Sequence, residues 1–234
     1  MVKLKICGLR RKEDMEMANK YKPDYIGFVF AESPRKVSYE EAKELSSILS
    51  EDIIPVGVFV NEHMKLIVDL FEDGIIEMAQ LHGEEDEKYI RNLKDKSIEQ
   101  TGKEIPVINA IEIKDISNDD IGDDGEGIDN GNDEIAADDY NNKLLEWRDS
   151  ASDYFILDSG KGSGKTFDWN LIDKSSEFFK NSIFLAGGLN SENLSSAIEE
   201  FNPFAVDLSS SVETDGFKDE DKIKEIIEIM DNYR

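Results

Sequence analysis

Eight times along this chain a short run of β-branched and aromatic residues gives way to a stretch with helical spacing, and most connections are short. The strand-like runs are 2–6 (VKLKI), 24–30 (DYIGFVF), 54–60 (IPVGVFV), 75–81 (IIEMAQL), 105–113 (IPVINAIEI), 153–157 (DYFIL), 182–186 (SIFLA) and 204–208 (FAVDL). Helices are expected around 11–20, over 38–50, from 61, over 84–94, from a cap at Asn190 or Ser191, and over the closing DKIKEIIEIMDNY. Ser38, with Glu41 three residues on, has the form of a capping box. This alternation predicts a (β/α)8 TIM barrel, one domain over 1–234, rather than an open doubly wound sheet. The barrel is preferred because Cys7, Arg35, His82, Asp158 and the pair Gly187-Gly188 all stand at or just beyond the C-terminal ends of strands. In a barrel those ends converge on one face, where active sites lie.

One interruption breaks the pattern. From 115 to 139, between the fifth and sixth strands, the chain is rich in Asp, Glu, Gly and Asn and holds no Lys or Arg. Such a composition cannot bury enough apolar surface to fold, so 115–139 reads as a flexible insert, with NNKLLEW after it as a helix remnant. DNGNDEIAADD lacks the position-6 glycine and terminal glutamate of an EF-hand loop. Deleting Gly122 to Ala136 is expected to leave activity nearly intact. The net charge of −26 opposes binding to nucleic acid or an anionic membrane. No apolar run approaches the roughly 20 residues that span a bilayer, and the start, MVKLKICGLR, has no apolar signal segment. A soluble cytoplasmic protein is expected. One cysteine excludes an intrachain disulfide, and with only two histidines neither a cysteine-cluster nor a histidine-based metal site is expected. There is no coiled-coil seam, and a monomer or homodimer is expected.

The stretch DSGKGSGKTFDW, from Asp158 to Trp169, resembles a P-loop only superficially. G-x-x-x-x-G-K-[ST] needs a glycine where Ser159 stands, and the motif comes late in the chain, after the sixth strand. Its glycines still suit a loop whose backbone N–H groups approach an anion. Gly187-Gly188 after strand seven and Ser209-Ser210-Ser211 after strand eight occupy the recurring phosphate site of such barrels. Alone, the glycine pair reads equally as a tight turn.

Four side chains are candidates for chemistry. Asp158 ends the apolar strand YFILD, where partial burial suits a carboxyl to proton donation; a salt bridge to Lys161 or Lys165 is the plainer reading. Cys7, followed by Gly8 and near Lys5, sits where a thiolate can be favoured, although a lone cysteine is commonly a small buried hydrophobe. Arg35, set by the turn at Pro34, is either a surface arginine or a clamp for a carboxylate or phosphate. His82 reads equally as structural support or as a ligand contact. A thiol, a carboxyl, an arginine and a phosphate cradle describe proton transfer on a small phosphorylated substrate.

Taken in order, KICGL, GFVFAESPRKVS, VGVFVNE, QLHGEE, LDSGKGSGKTFDW, LAGGLNSENL and VDLSSSVE resemble the phosphoribosylanthranilate isomerase family of tryptophan biosynthesis. The resemblance spans the chain from Lys5 to the last helix and skips the acidic insert. It implies a cofactor-free Amadori rearrangement of N-(5-phosphoribosyl)anthranilate, with Asp158 as general acid and Cys7 as general base. Arg35 would meet the anthranilate carboxylate, and Gly187, Gly188, Ser209 and Ser210 would hold the phosphate. Gly162 to Lys165, including Gly164, would form a loop closing over substrate, with His82 also at the ligand. Lys5, Arg35, Lys161, Lys165 and helix N-termini would make the site locally positive. Two positions depart from the family pattern. Ser211 stands where SSG has its glycine, which matters if that backbone needs positive φ. Lys161 replaces the first glycine of a GGTGK loop. Competing readings are the histidine-pathway aminoaldose isomerase, which has an aspartate where Cys7 stands, a non-catalytic barrel binding a phosphorylated ligand, and a magnesium-dependent P-loop NTPase.

Overall fold

The computed structural model describes residues 1–112, 150–158 and 182–233. The acidic stretch 115–139, NNKLLEW, and Lys161, Gly162, Gly164 and Lys165 lie outside the described residues. Eight parallel strands close a barrel: β1 (Lys3–Cys7), β2 (Tyr25–Val29), β3 (Ile54–Phe59), β4 (Met78–Leu81), β5 (Val107–Glu112), β6 (Tyr154–Asp158), β7 (Ile183–Leu185) and β8 (Ala205–Leu208). Closure comes from β1 pairing with β8, Lys3 opposite Ala205 and Lys5 opposite Asp207. The open doubly wound alternative is thereby excluded.

The described helices are α1 (Lys12–Tyr21), α2 (Tyr39–Ser46), α3 (Met64–Glu72), α4 (Glu87–Thr101), α5 (Leu194–Phe201) and α6 (Glu220–Met230). Ser38 caps α2 as expected: its Oγ accepts from Glu41 N, and the Glu41 carboxylate accepts from Ser38 N. α3 starts at Met64 rather than 61, because Asn61 adopts a left-handed φ of 51°. α4 runs past 94 to Thr101, where Gly102 ends it at φ 74°. Among the described helices none is long and apolar enough to cross a membrane.

Strand residues alternate between two cores. Outward ones, such as Leu4, Ile6, Ile26 and Phe28, pack against the helices. Inward ones, among them Tyr25, Val56, Met78, Ile108, Ile156 and Phe184, fill the barrel. Its N-terminal end is plugged by aromatic rings: Tyr25 and Tyr154 meet Phe184 edge-on, and Tyr154 stacks on Phe204. The Lys3 ammonium lies over Tyr25 and Phe204. The interior is therefore sealed below and polar toward the opposite mouth.

A short hairpin follows β8: a 3-10 turn (Ser210–Val212), β9 (Glu213–Thr214) and β10 (Phe217–Lys218). Its tip is Asp215-Gly216, both at positive φ, a pair that suits a tight hairpin turn. Arg10 and Arg11 lie over the Phe217 ring, fixing the hairpin to the start of α1.

Candidate active site

Alternation from inward-facing Ile156 and Ala205 turns Asp158 and Asp207 into the barrel mouth. Lys5 joins them there through its ion pair with Asp207, and Cys7, two residues on, shares its face. Cys7 stays close to the sheet because its neighbour on β2 is Gly27: a Cβ on Gly27 would come within 2.6 Å of the Cys7 sulfur. The backbone turns away just after Cys7, with the N–H groups of Gly8 and Leu9 both donating to Gly27 O. Burial pushes the Cys7 thiol above its ordinary value; Lys5 opposes this and Asp207 adds to it.

His82 leaves β4 on the same side, its N–H donating to Phe59 O. His82 Nε2 lies 3.8 Å from Asp158 Oδ2, so the imidazole and the carboxyl share one wall. Beneath them Gln80 is buried, with its amide nitrogen 3.4 Å from His82 Nδ1 and its Oε1 without a hydrogen bond. The connections carrying His82 are braced by residues of the VNE and HGEE stretches. Glu85 accepts from the backbone N–H groups of Asn61 and Gly83, and Asn61 Oδ1 accepts from Glu84 N. Those motif residues build the rim.

Arg35 reaches the mouth from the connection between β2 and α2. It crosses over Gly8, where φ is 84° and an added Cβ would sit 2.4 Å from the Arg35 side chain. Its Nε and Nη2 donate to the two carboxylate oxygens of Glu213, at 2.7 and 2.6 Å. Lys218 donates to the same carboxylate at 2.7 Å and to Ser209 O at 2.9 Å. Burial pushes Glu213 up, but the hydrogen bonds from Arg35 and Lys218 outweigh it and hold the carboxyl below its ordinary value. Two cations on one carboxylate leave the cluster with a net positive charge at the mouth.

Across from Arg35, Gly187 and Gly188 have φ of 83° and 68°, a backbone that only glycine adopts freely. The carbonyl of Gly188 accepts from the side-chain amides of Asn190 and Asn193, which fixes the loop. A Cβ at Gly188 would meet nothing within 4 Å. The cap of α5 is Asn193, three residues beyond Asn190, although Asn190 Oδ1 does accept from Glu192 N. Ser209 Oγ donates to Cys7 O at 3.1 Å, tying this second loop to β1, while Ser210 is exposed. Ser211 is not among the residues with positive φ, so a serine there carries no backbone strain; its hydroxyl is buried without a hydrogen bond.

The described residues therefore bring Cys7, Arg35, His82, Asp158, Gly187, Gly188, Ser209 and Ser210 around one mouth. Glu213, Lys218, Asp207 and Gln80 belong to it as well and were not assigned from the sequence. The D-G pair at 215–216 was a hairpin signal that would have folded Lys218 back toward Glu213. Nothing local marks what Glu213 faces.

A closed (β/α)8 barrel with a thiol, a carboxyl and a glutamate-held arginine at its C-terminal mouth defines a barrel enzyme of the proton-transfer kind. The comparisons narrow the class. The family described as N-(5'phosphoribosyl)anthranilate (PRA) isomerase matches residues 4–122 and 132–229, and the chain belongs to that family. It is 40% identical over 235 residues to the N-(5'-phosphoribosyl)anthranilate isomerase of Endomicrobium trichonymphae, covering 98% of each chain. The phosphoribosyl anthranilate isomerase of Thermotoga maritima superimposes with a TM-score of 0.74 at 34% identity, over 99% of this chain and 100% of that one. A phosphoribosyl anthranilate isomerase in complex with reduced 1-(o-carboxyphenylamino)-1-deoxyribulose 5-phosphate gives a TM-score of 0.73 at 33% identity, with the same coverage. The family match omits 123–131, inside the acidic stretch.

Proposed function

We propose that this protein performs its family's reaction in tryptophan biosynthesis: the Amadori rearrangement of N-(5'-phosphoribosyl)anthranilate to 1-(2-carboxyphenylamino)-1-deoxyribulose 5-phosphate. Asp158 protonates the furanose ring oxygen; the C1–O bond breaks as the anthranilate nitrogen supplies its lone pair, giving an iminium. The Cys7 thiolate then takes the proton from C2. The C2–H electrons form the C1–C2 double bond, and the iminium electrons return to nitrogen. The enolamine tautomerises to the ketone. Atoms and electrons balance without an oxidant, and no cofactor is called for.

Arg35 meets the anthranilate carboxylate. Gly187, Gly188, Ser209 and Ser210 hold the phosphate, and Gly162, Gly164 and Lys165 close over the substrate. His82 contacts the ligand beside Asp158. The observation that carries this reading is the convergence of Cys7 and Asp158 on one mouth, beside an arginine held ready by a buried glutamate. The enzyme acts in the cytoplasm as a monomer or homodimer, as a single barrel whose 115–139 stretch is an insert. The test follows loss of phosphoribosylanthranilate fluorescence with parent, Cys7→Ser and Asp158→Asn proteins. Turnover by the parent and near-silence in both variants is expected; a folded parent without turnover overturns the reading.

A further inference from the structure

Barrel interiors of this kind are ordinarily filled by branched apolar side chains. Here the layer between the aromatic plug and Cys7 contains an ion pair: Lys5, wholly buried, donates to Asp207 Oδ2 at 2.9 Å. Buried ion pairs contribute little to stability, since desolvation offsets their attraction. The pair is also incompletely matched. Asp207 Oδ1 is buried and accepts no hydrogen bond, while an ammonium has three donors. Lys5 and Cys7 are two residues apart on β1, so their side chains enter the same space.

We propose that Lys5 is a positioning residue for Cys7, its ammonium anchored by Asp207 and turned to the sulfur so that it holds the negative charge of the thiolate. The proposal rests on the isomerase reading, in which Cys7 acts as the base. Other charged groups face Cys7 from Arg35 in the connection after β2, from Asp207 on β8 and from Lys218 on β10, with Asp158 on β6 acting on Asp207. Among them Lys5 opposes the effect of burial on the thiol most strongly, and Asp207 works the other way. Burial pulls the Lys5 ammonium down, but Asp207 and Cys7 more than offset this, so Lys5 stays charged at neutral pH. The two partners of one ion pair thus act on the sulfur with opposite sign.

Cys7 is the single cysteine of the chain, so iodoacetamide alkylation of the whole protein, and the thiolate absorbance left after subtracting that of a Cys7→Ser protein, report on it alone. Both are measured against pH for the parent, Lys5→Met and Asp207→Asn, beside the acid limb of kcat/KM. In Lys5→Met the titration is expected to move up by about one unit or more, slowing alkylation about tenfold at a pH below the titration. In Asp207→Asn it moves down, and the kcat/KM limb follows each shift. An unmoved or lowered titration in Lys5→Met, or shifts of the same sign in both variants, overturns the proposal. Should Lys5→Met not fold, Lys5→Met/Asp207→Leu replaces the pair by apolar side chains; its titration is expected above the parent's, and an unchanged one is equally fatal. Because the thiol is read without substrate, opposite shifts in a protein that does not turn over phosphoribosylanthranilate refute the isomerase reading and leave the hold of Lys5 on the sulfur standing.

Discussion

Arg35 and Glu213, separated by 178 residues, meet in a two-pronged ion pair with N–O distances of 2.7 and 2.6 Å. A guanidinium held on two of its nitrogens has its plane fixed and keeps further N–H groups for an incoming carboxylate. Lysine has neither the fork nor the planarity. Arg35→Lys is therefore expected to raise KM about tenfold with kcat nearly unchanged, the signature of lost uniform binding. An equal fall in kcat and kcat/KM would assign Arg35 to the chemical step instead.

The approach of β2 to Cys7 gives a sharper test. In Gly27→Ala the new methyl would lie 2.6 Å from the sulfur and 3.1 Å from the Cys7 Cα, so the thiol has to shift. Overpacking of this kind costs about 1–3 kcal/mol of stability. Displacing a base by about 1 Å costs on the order of a hundredfold in rate. Thermal unfolding and steady-state kinetics on the same preparation separate the two effects. Parent-like kcat would mean that Cys7 is not held where the reaction needs it.

The barrel was legible because its signals are local. Strand runs such as YIGFV and YFILD, and the Ser38 and Glu41 cap, are set by neighbours a few residues away. The misplaced start of α3 has a local cause of another kind: the Asn61 side chain serves the Glu84 loop and its backbone is left-handed, which spacing does not reveal. Cys7, Asp158 and Arg35 could be singled out because barrel topology gathers strand ends. Their partners could not. Glu213 is chosen by Arg35 and Lys218, and Asp207 by Lys5 across 202 positions of sequence. Such pairings follow from barrel closure and hairpin packing, which appear only in three dimensions.

Glu213 also ties stability to pH. Its carboxyl lies below its ordinary value in the folded protein, so the unfolded chain binds a proton more readily at mildly acid pH. Its contribution is therefore full above the ordinary glutamate value of about 4.3 and is lost as pH falls through the lower, folded value. Removing one partner of a buried pair costs roughly 3–5 kcal/mol. Arg35 is about a quarter exposed, and solvent screening reduces that figure. Glu213→Gln is expected to be about 2 kcal/mol less stable than the parent at pH 7, with the gap closing as both are taken well into acid. Urea unfolding at a series of pH values would show it, and a gap independent of pH would remove the carboxylate charge from the account.

The proposal that 115–139 is an insert is open to a direct test. The family match stops at 122 and resumes at 132, so the residues between lie outside what the family model describes. Loop-closure entropy changes only slowly with loop length, about 0.6 kcal/mol per doubling, so shortening this connection should alter stability little. Deleting Asp123 to Gly131 is expected to leave kcat and KM within about twofold, a difference of about 0.4 kcal/mol in the barrier. The deletion also removes acidic charge from a protein that binds an anion. At low ionic strength, where such charge is least screened, any change should therefore be a modest fall in KM. A folded deletion protein that loses most of its turnover would make the stretch part of the catalytic apparatus and end its reading as an insert.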